Sequence, residues 1–306
     1  MIISLFSGQG SQYPGMGHDI TEAFPQLCSL YDNASDILGK DLKSICFDAS
    51  QDELTATVNA QPAVMITSLV CLEAAKLSGF SFDAVAGHSL GEYAALVASG
   101  MVSFEDGFRL IKARSEAMDS ATRSSKGTMC AILRTSPEKV ELFCKNAKSG
   151  YVAAVNYNSP VQTVIAGQPD AVKEVSENLR SDGAAVVELN VAGAFHSQLM
   201  QPAAELFYET AKNITFHKPQ VRFFSNVLGA ELSDFSDIPS LLAKHIVSPV
   251  RFTDEMLDMN AKGFDSFYEF GPGKVLTGLV RKNLKGKQFS AFNVENLDSL
   301  KEVFNK

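Results

Sequence analysis

The sequence predicts an α/β protein, with a large subdomain built on a parallel sheet and a small α+β unit inserted into it. Three observations point there. Short apolar strands alternate with amphipathic helices over both ends of the chain. The stretch Val85-Ala86-Gly87-His88-Ser89-Leu90-Gly91-Glu92-Tyr93 reads as strand, sharp turn and helix. Between residues 127 and 190 the pattern becomes β-α-β-β-α-β, the split arrangement of a ferredoxin-like unit. The expected division is 1–126 with 191–306 for the large subdomain and 127–190 for the insert.

Composition narrows the function. At 306 residues and 45% hydrophobic content, the chain supports a sizeable core. A formal charge of -8 disfavours a nucleic-acid partner. The five cysteines (Cys28, Cys46, Cys71, Cys130, Cys144) are scattered and form no Cys-x-x-Cys pair, so neither a disulfide framework nor a metal site is expected. The N-terminus enters a strand pattern without a signal-peptide profile, and no apolar stretch is read as long enough to span a membrane. These features predict a reduced, soluble, cytoplasmic protein with no membrane partner, and a monomer is the default expectation.

The first strand is Ile2 to Phe6, followed by the glycine-rich loop Ser7-Gly8-Gln9-Gly10-Ser11-Gln12. A dinucleotide fingerprint would need glycine at position 13, which is Tyr13, and no phosphate-loop Gly-Lys-Ser/Thr follows. Residues from Ile20 to Leu38 carry helical spacing, and a polar turn is expected around Asp52. A long apolar helix is expected from Gln61 to Leu77, with Pro62 near its start. Gln61 either caps that helix or points at an active centre.

The strand around Phe82 to Ala86 leads into Gly87-x-Ser89-x-Gly91, the pattern of a nucleophile elbow. In an elbow the serine hydroxyl stands at a helix N-terminus. The next backbone N–H, that of Leu90, then faces a developing oxyanion, and a second donor comes from a neighbouring strand-end loop, here Gln9. A plain βα turn with a capping serine has the same local pattern. The helix Phe104 to Ala121 turns Phe104, Phe108, Ile111, Ser115 and Met118 inward, with Arg114 beside that stripe. An arginine there snorkels, makes a structural pair, or binds a carboxylate ligand with its fork of donors.

In the insert, strands are expected at Thr128 to Leu133, Tyr151 to Asn156, Gln162 to Gly167 and Ala184 to Leu189, with helices at Pro137 to Lys148 and Asp170 to Asp182. Tyr157-Asn158-Ser159-Pro160 is read as the turn between the middle strands. The chain re-enters the large subdomain at Val191-Ala192-Gly193-Ala194-Phe195-His196-Ser197. Of the five histidines, His196 alone sits on a glycine-containing loop at a subdomain junction, where a base for Ser89 or a helix cap are the readings. The remainder alternates strand Val221 to Ser225, helices Ile238 to His245 and Thr253 to Asn260, strand Ser266 to Phe270, turn Gly271-Pro272-Gly273, helix Val275 to Leu284, strand Ser290 to Asn293 and helix Leu297 to Phe304.

Six stretches in this order resemble the malonyl-CoA:acyl carrier protein transacylases of fatty acid synthesis: Gly8-Gln9-Gly10-Ser11-Gln12, Gly87-His88-Ser89-Leu90-Gly91-Glu92-Tyr93, Arg114, Asn158-Ser159-Pro160, Ala194-Phe195-His196-Ser197 and Gly271-Pro272-Gly273-Lys274-Val275-Leu276. The resemblance spans nearly the whole chain. It implies an α/β-hydrolase-like large subdomain with a ferredoxin-like insert. Ser89 would match the nucleophile, His196 the base, and Gln9 and Leu90 the oxyanion donors. Arg114 would match the arginine that binds the malonyl carboxylate, with Gln61 and Asn158 lining the substrate site. The carbonyl of His245 would orient His196. The implied substrates are malonyl-CoA and an acyl carrier protein, with no further cofactor. Phe195 before His196 is the pattern associated with malonyl rather than branched units.

Two departures stand out. Ser7 replaces a usual proline and is expected to loosen the Gln9 loop, and Gln198 replaces a residue that is often proline or small. The rival readings are a thioesterase, esterase or patatin-like hydrolase, a trans-acting polyketide acyltransferase, and a non-catalytic carrier-docking module. The basic run Arg281, Lys282, Lys285 and Lys287 is a candidate docking surface for an acidic carrier.

Overall fold

The computed structural model describes residues 1–191 and 193–304; Ala192 of the junction loop, Asn305 and Lys306 lie outside the described residues. Among the described residues ten strands occur in chain order: β1 (Ile2–Phe6), β2 (Ala84–Gly87), β3 (Thr128–Leu133), β4 (Val152–Ser159), β5 (Gln162–Gly167), β6 (Ala185–Glu188), β7 (Arg222–Ser225), β8 (Ala230–Glu231), β9 (Ser266–Phe270) and β10 (Ser290–Val294). They form a six-stranded sheet, β10-β9-β1-β2-β7-β8, and a four-stranded sheet, β4-β5-β3-β6.

In the large sheet every pairing from β10 to β7 is parallel; only β8 is antiparallel. Its inner strands β1, β2 and β7 are largely buried, as parallel strands covered by helices on both faces must be. Ile3, Leu5, Ala84, Ala86 and Phe267 point into one core cluster, while Phe6, Val85 and Phe270 point into the other. That alternation is the two-residue period of the strand. Because the strands run together, their C-terminal ends share one edge, with Phe6 registered against both Gly87 and Phe270. Loops at that edge carry Ser7 to Gly10, His88 to Ser89 and Gly271 to Gly273, the position where open α/β sheets bind ligands.

The small sheet is antiparallel, and its order is that of a ferredoxin-like unit. Helices Pro137–Lys145 and Pro169–Ser181 cover one face, sharing a core with Cys130, Ile132 and Ile165. From the same strands Met129, Ala131 and Val164 join the main core instead. The unit thus turns an apolar face toward the large sheet.

Several local expectations are corrected. The helical pattern from Ile20 to Leu38 breaks into His18–Ala23, a 3-10 turn Pro25–Leu27 and Cys28–Leu38, because Pro25 cannot continue a helix. The region around Asp52 is a short helix, Gln51–Thr55, whose Glu53 N–H donates to the Ser50 hydroxyl. The long apolar helix starts at Thr57, not Gln61, and Pro62 lies inside it. The Val58 carbonyl, which an amide at position 62 would have served, accepts from Lys40 Nζ at 3.4 Å. With 21 residues and a mean hydropathy of 1.3, this helix does reach membrane-spanning length, contrary to expectation; 83% of the apolar window is buried inside the protein, which makes it a core helix. β4 continues through Asn158 to Ser159, so the turn into β5 is only Pro160-Val161.

Ser7 does not loosen its loop. It is 1% exposed, its N–H donates to the Phe270 carbonyl at 3.2 Å, and its hydroxyl reaches the same carbonyl at 3.4 Å.

Candidate active site

The elbow follows from close packing. Helix Gly91–Ala98 begins directly above the ends of β1 and β2. A Cβ on Gly91 would collide with the Phe6 carbonyl, and one on Gly87 with the Gly91 backbone. Between them Ser89 adopts φ 55°. A left-handed conformation costs an L-residue about 1–2 kcal/mol. His196 carries the same kind of strain, at φ 60°. Strain of this type persists where surrounding structure imposes it, and it gathers at functional sites.

These two strained residues meet. Ser89 Oγ lies 2.7 Å from His196 Nε2. His196 Nδ1 lies 3.0 Å from the His245 carbonyl and 3.2 Å from that of Ser248. Carbonyls only accept, so Nδ1 carries the proton and Nε2 presents a lone pair to the serine. Burial, then the Arg114 charge, push the His196 pKa down to about 3, so the imidazole is neutral near pH 7.

Arg114 lies on helix Phe104–Ser124 and is 1% exposed. Its Nη1 donates to Gln61 Oε1 at 2.7 Å and its Nη2 to Ser89 Oγ at 3.1 Å, while its guanidinium sits 5.3 Å from the Tyr93 ring centre. It forms no ion pair among the described residues. Glu92 acts on it electrostatically, but burial raises the Glu92 carboxyl to about 8, which leaves it mostly protonated near pH 7. Burial also lowers His245 well below the ordinary histidine value. The floor of the site therefore carries an uncompensated guanidinium charge within hydrogen-bond reach of a serine hydroxyl.

Gln9 and Leu90 flank the same hydroxyl. The backbone N–H groups of both have no protein acceptor among the described residues. Gln61 does not cap its helix; it is fully buried, holds Arg114, and reaches Met118 Sδ and Gln9 Oε1, each at 3.5 Å. Asn158 is also brought in, but its Oδ1 accepts from His88 Nε2 at 2.8 Å, which ties the small sheet to the elbow. Of the eight residues singled out in the sequence, Gln9, Ser89, Arg114, Asn158 and His196 line one cleft, while Gln61 holds Arg114, the His245 carbonyl holds His196, and Leu90 follows Ser89 in the elbow. Sequence reasoning missed Asn226, whose Oδ1 accepts the Ser89 N–H at 2.7 Å; it follows β7 in a stretch with no motif, and only its strand-end position points to it.

The cleft is a cavity of about 270 Å³ between the sheets. Gly8, Gln9 and Arg114 form its polar side; Met129, Ala131 and Val164 of the small sheet form its apolar wall. Gln162 lines it too and accepts from Lys282 Nζ at 3.0 Å, so one end of the exposed basic run reaches a lining residue. No group of three His, Cys, Asp or Glu side chains suited to a metal occurs among the described residues.

Residues 4–298 match the family described as an acyl transferase domain. The chain is 39% identical over 301 residues to a malonyl CoA-acyl carrier protein transacylase of Bacillus subtilis, covering 97% of this chain and 95% of that protein. It superposes with a TM-score of 0.93 on the malonyl transacylase structure from Streptococcus pneumoniae, at 37% identity over 100% of this chain and 99% of that one. A further structure, a type II PKS acyl-carrier protein in complex with its malonyl-transacylase, is similar at 33% identity and a TM-score of 0.94, covering 99% of each chain.

Proposed function

This chain belongs to the acyl transferase domain family, and from that premise we propose that it moves a malonyl group from malonyl-CoA to the pantetheine thiol of an acyl carrier protein through a malonyl ester on Ser89. The observation that carries this reading is Arg114, a buried guanidinium with no ion-paired carboxylate among the described residues, 3.1 Å from the Ser89 hydroxyl. Its fork matches the free carboxylate of a malonyl unit whose thioester carbonyl lies against that hydroxyl. An acetyl unit leaves the guanidinium unpaired.

The reaction runs in two halves. The Ser89 proton passes to His196 Nε2 as Oγ attacks the thioester carbonyl. The tetrahedral oxyanion faces the N–H groups of Gln9 and Leu90. Collapse breaks the C–S bond, and the CoA sulfur takes the proton from His196. The second half is the reverse with a new thiol. The pantetheine S–H gives its proton to His196, sulfur attacks the ester carbonyl, and Ser89 Oγ leaves and regains the proton. The His245 and Ser248 carbonyls keep the imidazole in the required tautomer throughout. No cofactor enters these steps, and the setting we propose is fatty acid synthesis in the cytoplasm.

The test is the fate of the isolated malonyl-enzyme. The label should persist in buffer and pass to carrier protein bearing pantetheine, but not to carrier lacking it. Release as free malonate at one rate with or without carrier would replace this reading by hydrolysis.

A further inference from the structure

Asn226 is fully buried and is not among the residues lining the cavity, yet it contacts the elbow at Gly87, Ser89 and Glu92. Its Oδ1 accepts the Ser89 N–H at 2.7 Å. Its Nδ2 donates to the Gly87 carbonyl at 2.7 Å and to Glu255 Oε1 at 3.0 Å. Its own N–H donates to Glu92 Oε2 at 3.2 Å, and its carbonyl accepts the Arg251 N–H at 3.0 Å. Its side chain thereby joins the end of β2, the strained serine and helix Phe252–Ala261, and its backbone N–H adds helix Gly91–Ala98.

We propose that Asn226 is a positioning residue of the reaction, whose carboxamide clamps the Gly87 carbonyl and the Ser89 N–H and so holds the nucleophile in the conformation that presents its hydroxyl to His196. The argument is geometric. A non-glycine residue at φ 55° returns to a right-handed conformation unless something holds it. The carboxamide fixes the peptide planes on either side of His88, and the Ser89 carbonyl accepts the Glu92 N–H at 3.1 Å, so the backbone on both sides of the Ser89 Cα is held. The clamp also commits the Ser89 N–H to the protein interior and leaves the Leu90 N–H as the elbow's donor to the cleft. An amide meets both demands at every pH, because it accepts on one side and donates on the other. An ionised carboxylate loses the donor; an apolar side chain loses both.

This inference rests on the reading that Ser89 is acylated. The experiment is single-turnover malonylation by malonyl-CoA, followed by intact mass, for wild type, Asn226→Ala and Asn226→Asp. Malonyl-CoA affinity is measured in parallel on a Ser89→Ala background. Asn226→Ala should slow acylation of the folded fraction about 10²-fold, the scale of a 1 Å misplacement, with affinity unchanged within about threefold. A residue that merely supports the fold lowers the melting temperature without slowing the molecules that remain folded.

In Asn226→Asp the new carboxyl faces Glu255, while the backbone N–H at 226 donates to Glu92, whose Oε2 lies 3.6 Å from His245 Nδ1. When protonated it again donates and accepts. Its acylation rate should therefore rise relative to wild type as pH falls from about 8.5 to about 6, by tenfold or so. An Asn226→Ala rate within about threefold of wild type overturns the proposal. If Asn226→Ala does not fold, an Asn226→Asp rate that tracks wild type at every pH overturns it. Absence of any adduct on wild type would instead overturn the Ser89 reading, and this inference with it.

Discussion

The two charged-or-neutral partners of the Ser89 hydroxyl, His196 and Arg114, are almost equally buried, at 3% and 1% exposure, and burial acts on them with opposite results. Removal from water strips the charge from the imidazole, whose ordinary value of 6.5 is easily crossed on the way down to about 3. It also lowers the guanidinium, but from an ordinary value too high for the charge to be lost near pH 7. One side of the hydroxyl is thus a neutral proton acceptor and the other a fixed cation. In the proposed reaction, proton transfer and substrate choice thus fall to two groups that desolvation pushes apart.

The largest effect should come from removing the fixed cation. Arg114→Ala should lower kcat/KM for malonyl-CoA by about 10³- to 10⁴-fold while leaving acetyl-CoA within about tenfold, as measured by initial rates with each thioester. Arg114→Lys should rescue little, because an ammonium lacks the planar fork. Equal losses with both thioesters would dissolve the division between the two sides.

A smaller effect sharpens it. Gln61→Ala deletes the partner 2.7 Å from Arg114 Nη1. A hydrogen bond to a charged group contributes about 1.5–3 kcal/mol, so malonyl kcat/KM should fall roughly tenfold or more, with acetyl transfer unaffected. The smallest effect is a shift in pH. Because the His196 pKa is depressed, its basic form is present above about 3, and the acid limb of kcat/KM should lie well below 6.5. The Arg114 charge is one cause of that depression, so Arg114→Ala should move the limb upward, toward the ordinary value. A limb that stays in place in the variant would show that desolvation alone sets it.

How much of this was legible in the sequence differs by element. The elbow, the parallel strands and the β-α-β-β-α-β insert rest on local patterns of period two and 3.6, and glycines 87 and 91 mark a backbone approach that no side chain permits. Ser89, His196 and Arg114 stood out because their residue types and flanks fit a chemistry. Asn226 did not, because its role depends on β7 lying beside β2, a pairing between residues far apart in sequence. Ser7 was misread for the same reason: its anchor, the Phe270 carbonyl, comes from the register of β1 with β9. Gln61 stayed ambiguous because a helix start four residues earlier, at Thr57, decides whether it caps or faces inward.

The most direct measurement is intact-protein mass after brief incubation with malonyl-CoA and, separately, acetyl-CoA, for wild type, Ser89→Ala and Arg114→Ala. A malonyl adduct on wild type, absent from Ser89→Ala and lost or replaced by acetyl in Arg114→Ala, is the predicted result. A malonyl adduct that survives in Ser89→Ala, or one that forms equally well without Arg114, would contradict it.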